Sequence, residues 1–97
     1  MSKYKDAKSI IQTGRYCYQC GRENVPLELH HCLNNQPNRK LSDKYGLTVY
    51  LCPQCHRNVH SEYGLREHLK QTAQRKAMKK YGWSVDDFRR IFGKNYL

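Results

Sequence analysis

Residues 51–60 read Leu-Cys-Pro-Gln-Cys-His-Arg-Asn-Val-His, and residues 17–20 read Cys-Tyr-Gln-Cys. A C-x-x-C turn aims two thiolates at a single point, and two such turns complete a tetrahedral zinc site. Cys17, Cys20, Cys52 and Cys55 are therefore expected to hold one structural zinc. A lone C-x-x-C also suits redox chemistry, but two of them across a hairpin-sized interval select a metal. Disulfides are disfavoured in a cytosolic chain by its redox poise. The fifth cysteine, Cys32, is read as a small buried hydrophobe beside the site.

Outward from the cysteines, the chain looks too thin to stand without such a staple. Its 97 residues, 38% of them hydrophobic, make one domain spanning 1–97. A domain of this size buries only about two-thirds of its unfolded surface, and small cores commonly need a disulfide or a metal. Zinc binding on the order of 10 kcal/mol would make folding conditional on the metal. No run of 18 apolar residues suggests a membrane span. Met1-Ser2-Lys3-Tyr4-Lys5 leads into no apolar signal segment, so a cytoplasmic location is expected.

Between the knuckles, Leu27-Glu28-Leu29-His30 alternates, with Leu27 and Leu29 on one face and Glu28 and His30 on the other. Leu47-Thr48-Val49-Tyr50-Leu51 alternates likewise, with Leu47, Val49 and Leu51 inward. The two read as an antiparallel pair joined by a long loop, Leu33 to Gly46, rich in Asn, Pro and charge. Pro53 suits the first turn of a helix. Ser61 to Gly64 breaks that helix, and a second should run from about Leu65 to Tyr81 with Leu65, Leu69, Ala73, Ala77 and Tyr81 inward. Gly82 stops it. Ser84 and Asp87 resemble a capping box opening a last helix, with Val85, Phe88, Ile91 and Phe92 apolar and Gly93 as its end.

Four of the five histidines sit in the zinc-bracketed segment. On a helix, His56 and His60 lie on one face, one above the other. Pinned together by the cysteines, strand and helix let His30, His56 and His60 converge on one divalent cation, leaving positions open for water or phosphate. His31 points the other way along the pleat. A histidine beside a metal, but not on it, suits a general base. The alternative is that all four are structural or surface residues.

The order Cys17-x-x-Cys20, Glu28-Leu29-His30-His31, Leu51-Cys52-x-x-Cys55-His56-x-x-x-His60 resembles the zinc-bracketed branch of the HNH endonucleases. It is similar in particular to small phage- and prophage-encoded members, whose endings the tail Ile91-Phe92-Gly93-Lys94-Asn95-Tyr96-Leu97 also resembles. The core resemblance covers roughly residues 16–62, leaving 65–97 as basic C-terminal helices. It implies a small zinc-stabilised α+β domain with a ββα-metal (His-Me finger) core. It implies His31 as the general base, His30, His56 and His60 as ligands of a catalytic cation (Mg²⁺, Mn²⁺, Ni²⁺ or Zn²⁺), and the four cysteines as a separate zinc site. One departure stands out: Leu47 occupies the place of the motif's Asn, which fixes the connecting loop and helps orient the base. Either a loop Asn (Asn34, Asn35 or Asn38) or a backbone carbonyl then takes over, or the base is poorly positioned.

The charge supports a polyanionic partner. Eighteen Lys and Arg against eight Asp and Glu leave +10, with +3 in residues 1–16, +1 in 17–64 and +6 in 65–97. Arg39, Lys40, Lys70, Lys76 and Lys80 are expected to contact DNA, duplex or branched, through its phosphates. The implied function is a metal-dependent DNA endonuclease in phage or prophage DNA processing or recombination, working in a bacterial host's cytoplasm. The alternative is a non-catalytic zinc module that binds nucleic acid or a nucleic-acid-processing protein.

Overall fold

The computed structural model describes residues 8–34 and 38–97. Two strands, β1 (Glu28–His31) and β2 (Thr48–Leu51), pair antiparallel, with Glu28 opposite Leu51, Leu29 opposite Tyr50, His30 opposite Val49 and His31 opposite Thr48. Residues opposite one another share a face. One face therefore carries Glu28, His30, Val49 and Leu51, and the other Leu29, His31, Thr48 and Tyr50.

The segment between the strands is where the fold departs from the sequence expectation. Instead of a loop running to Gly46, it forms a helix, α1 (Asn38–Tyr45). Arg39, Lys40 and Leu41 are good helix formers, and Leu41 and Tyr45, four apart, are both half-buried against the core. Ser42 lets α1 approach closely: its hydroxyl donates to the Leu33 carbonyl (2.7 Å) and accepts from the Leu33 N–H (3.3 Å). Gly46 ends the helix at φ 74°, where a Cβ would collide with the Lys8 carbonyl. Asn35 and Pro37, also part of the expected loop, lie outside the described residues.

Helix α2 (Pro53–Ser61) starts at Pro53 as expected and is broken only at Glu62, so α3 (Tyr63–Tyr81) begins two residues before Leu65. Leu69, Ala73 and Ala77 form its buried stripe, joined by Gln74, while Tyr81 is exposed. Gly82 caps α3 in the left-handed conformation, and α4 (Val85–Phe92) opens on the Ser84–Asp87 capping box and closes at Gly93. Phe88 and Phe92 stack at 4.6 Å and are buried, with Ile91 packed against the core and Val85 exposed. The tail is stapled to α3: Gln74 donates to Asn95 and accepts from the Tyr96 N–H, both at 2.7 Å. The domain is α+β, with four helices and one two-stranded sheet among the described residues. No helix among them is long and apolar enough to cross a membrane.

The core gathers Leu33, Leu47, Val49, Leu51, Val59 and Leu69 between the sheet and the helices. Against this, β1 reverses the usual pattern. Leu29 is 47% exposed, whereas His30 is 2% exposed. The reason lies in α2, which covers the face bearing Val49 and Leu51, and His30 shares that face.

Candidate functional site

The four knuckle cysteines come together as their spacing requires. Gly21 closes the first turn, its N–H donating to the Cys17 carbonyl (2.7 Å), and the Tyr18 N–H donates to the Tyr50 carbonyl (2.8 Å), tying that turn to β2. Cys52 is the residue before α2, and Cys55 lies in its first turn. Their sulfur atoms and those of Cys17 and Cys20 all fall within 4.8 Å of one another, with Cys20 and Cys52 at 4.0 Å. Sulfurs on one tetrahedral zinc stand about 3.8 Å apart, given a Zn–S bond of about 2.3 Å. The cluster can therefore hold a structural metal such as zinc. Burial pushes the Cys17 thiol up, but hydrogen bonds from the backbones of Cys52, Cys20 and Gln19 and from the Cys20 side chain outweigh it and hold Cys17 at about 6. Burial and its thiol neighbours push Cys55 up to about 12. Cys32 is buried outside the cluster, and burial pushes it up to about 12, which makes it an inert core residue.

The second cluster joins β1 to α2. One ligand nitrogen from each of His30, His56 and His60 lies within 4.8 Å of the others. The Nε2 atoms of His56 and His60 are 3.2 Å apart. Two imidazoles on one tetrahedral cation place their nitrogens about 3.3 Å apart, so the spacing fits. Glu28, beside His30 on the same strand face, accepts from the His56 Nδ1 at 2.7 Å. An ionised carboxylate only accepts, so His56 carries its proton on Nδ1 and offers Nε2 as a lone pair. This carboxylate–histidine arrangement orients many metal-binding imidazoles. Burial, then the neighbouring His56, His60 and His31, push His30 down to about 3. Burial, followed by the charges of His56 and Arg66, lowers His60 as well. Neutral imidazoles are what a cation requires.

His31 lies on the opposite face of the strand and is half-buried. Its Nε2 donates to Asp43 Oδ1 on α1 at 2.7 Å, leaving the Nδ1 lone pair available. His31 nevertheless lines the same small cavity as the three clustered histidines, about 250 Å³ in volume, together with Leu29, Asn34 and Arg39. Neither a protein-family model, nor a curated protein, nor a solved structure matches the chain.

The remaining expected contact residues are scattered. Arg39 stands at the histidine cavity, and Lys40, Lys76 and Lys80 are exposed on α1 and α3. Lys70 is half-buried, paired with Glu67 at 3.3 Å and lying over the Tyr96 ring, so its charge is spent within the fold. Leu47, where the resemblance would place an Asn, is fully buried in the core. Asn38 is occupied elsewhere, donating to the Phe92 carbonyl at 3.1 Å. Among the described residues the partner of His31 is Asp43, which the sequence alone does not reveal because it does not show α1. Glu28 was findable: strand alternation alone puts a carboxylate beside His30.

Proposed function

We propose that the chain is a metal-dependent endonuclease that hydrolyses DNA phosphodiester bonds, built on an HNH-type ββα-metal core. The observation that carries this reading is the cavity shared by the His30, His56 and His60 cluster and the Asp43-supported His31. Phosphodiester hydrolysis needs a positioned base and neutralisation of charge developing on the phosphate and the leaving oxygen. A cation bound to the three imidazoles supplies Lewis-acid charge of that kind. An all-imidazole donor set favours Ni²⁺ or Zn²⁺ over Mg²⁺ or Mn²⁺, which prefer oxygen ligands.

The chain's own groups supply the rest. Asp43 holds the His31 ring with its proton on Nε2, so Nδ1 takes the proton from the attacking water. Glu28 keeps His56 in the ligand tautomer. Arg39 faces the cavity with a guanidinium suited to a phosphate oxygen. The resemblance adds a setting, the processing or recombination of phage or prophage DNA.

The test is supercoiled plasmid incubated with each of the four cations, with wild type beside His31→Ala. Cutting by wild type and none by His31→Ala, with DNA binding retained, is the expected result. Equal residual nicking in both would point to a contaminating nuclease. Inertness of wild type on duplex, branched and single-stranded DNA would leave a non-catalytic nucleic-acid-binding zinc module.

A further inference from the structure

The sheet face turned away from α2 bears Leu29 opposite Tyr50 and His31 opposite Thr48. Along the outer edge of β2 lies the stretch 8–16, held by the Ser9 hydroxyl, which donates to the Thr48 carbonyl, and by the Gln12 side-chain amide oxygen, which accepts from the Tyr50 N–H at 2.8 Å. Between that stretch and the sheet opens a groove of about 570 Å³, within the size range of small-ligand pockets. Three of its features select a ligand. The Arg15 guanidinium is exposed yet held in place, 4.7 Å from the centroid of the Tyr50 ring and donating to the Tyr50 hydroxyl at 3.1 Å. Lys8 adds a second cation to the lining. Leu29, the exposed apolar residue of β1, lines both this groove and the histidine cavity and so stands between the two.

We propose that this groove seats an unpaired nucleotide of a DNA strand. Its base stacks on the Arg15 plane, its sugar covers Leu29, and its phosphate leads toward Arg39 and the histidine cavity. Guanidinium planes are good platforms for splayed bases, and a base offers its face only when unpaired. The groove's two cations outnumber its one carboxylate, Asp43, which is engaged by His31, so a polyanionic occupant complements the lining and the chain's net charge of +10. The proposal rests on the endonuclease reading only for the direction the strand takes; the seat itself is a claim about binding.

The probe is a fluorescein-labelled oligothymidylate, its anisotropy measured with the full, zinc-loaded chain after dialysis to remove labile cations. Arg15→Ala and Arg15→Lys should each weaken binding roughly tenfold. Because Arg15 is exposed, its replacement leaves the core untouched, and circular dichroism checks this. Wild-type affinity in Arg15→Lys would reduce the site to a point charge and overturn the stacked seat, as would an unchanged Arg15→Ala. An equal loss on a blunt duplex would also overturn it. Plasmid cutting separates the two readings. A seat that survives these tests in a chain that never cuts DNA retires the endonuclease and keeps the seat. Intact cutting with Arg15 indifferent does the reverse.

Discussion

Asp43 and Leu47 lie four residues apart, and between them they show how the histidine site is supported. Asp43 fixes the tautomer of His31, a role made possible by α1, which carries the carboxylate over the strand. Under the proposed endonuclease function, Asp43→Ala should lower kcat by tenfold or more, the scale of a lost orienting partner, with little change in KM. Asp43→Asn, whose amide oxygen still accepts, should recover part of the loss. A raised KM with kcat unchanged would mean that the residue only helps seat DNA. Leu47, by contrast, belongs to the core, and its carbonyl accepts from the Cys32 N–H at 3.0 Å. Leu47→Asn should therefore not restore a motif. It should cost about 3 kcal/mol or more in a urea titration, because it removes core volume and buries an amide without a partner. The cysteine and histidine ligand spacings were legible because each is local to a turn or a helix. The partner of His31 was not, because it depends on a helix formed across the strand connection.

At the scale of elements, end signals were read better than middles. Ser84, Asp87, Gly82 and Gly93 mark helix boundaries through single-residue chemistry, and the structure places α4 between them. The middle of α3 is harder to read: periodicity picks out only its apolar stripe, yet Gln74 lies fully buried within it. A buried glutamine is legible only through its partners, and these are supplied by the tail at Asn95 and Tyr96. Gln74→Ala should cost about 1–3 kcal/mol, because it strands the Tyr96 N–H, and should loosen the tail in hydrogen exchange. The capping box has a pH signature. The Ser84 N–H holds the Asp87 carboxyl below its ordinary value of 3.8, outweighing slight burial, with the Ser84 hydroxyl and Arg90 assisting. A depressed carboxyl contributes in full above its unfolded value and loses that contribution as pH falls through its folded value. The Ser84 amide resonance should therefore move below about pH 4 in step with the Asp87 carboxyl. Asp87→Ala should abolish that movement, whereas Ser84→Ala, which keeps the N–H, should leave it in place and cost about 1 kcal/mol through the lost cap.

For the molecule as a whole, the two clusters differ in kind, and the difference sets an order of metal loss. The four cysteines supply a complete tetrahedral set that ties the 17–20 turn to the junction of β2 and α2, the two parts of the chain that the core must bring together. The three histidines leave at least one position open, on a pocket that faces solvent. Thiolate zinc in a closed site contributes folding energy directly, whereas the histidine cluster forms inside a fold already held together. Dialysis against a weak chelator should therefore strip a histidine-bound cation first and leave helical circular dichroism and cooperative melting unchanged. A strong zinc chelator, or Cys52→Ser, should then remove one zinc per chain and abolish the cooperative transition, since the cysteines are what tie the 17–20 turn to the junction of β2 and α2. His60→Ala should abolish the first step and leave the second intact. The measurement is metal released per chain, followed beside the melting curve. A metal-free protein that melts as the loaded one does would show that the hydrophobic core, rather than zinc, holds the two halves together.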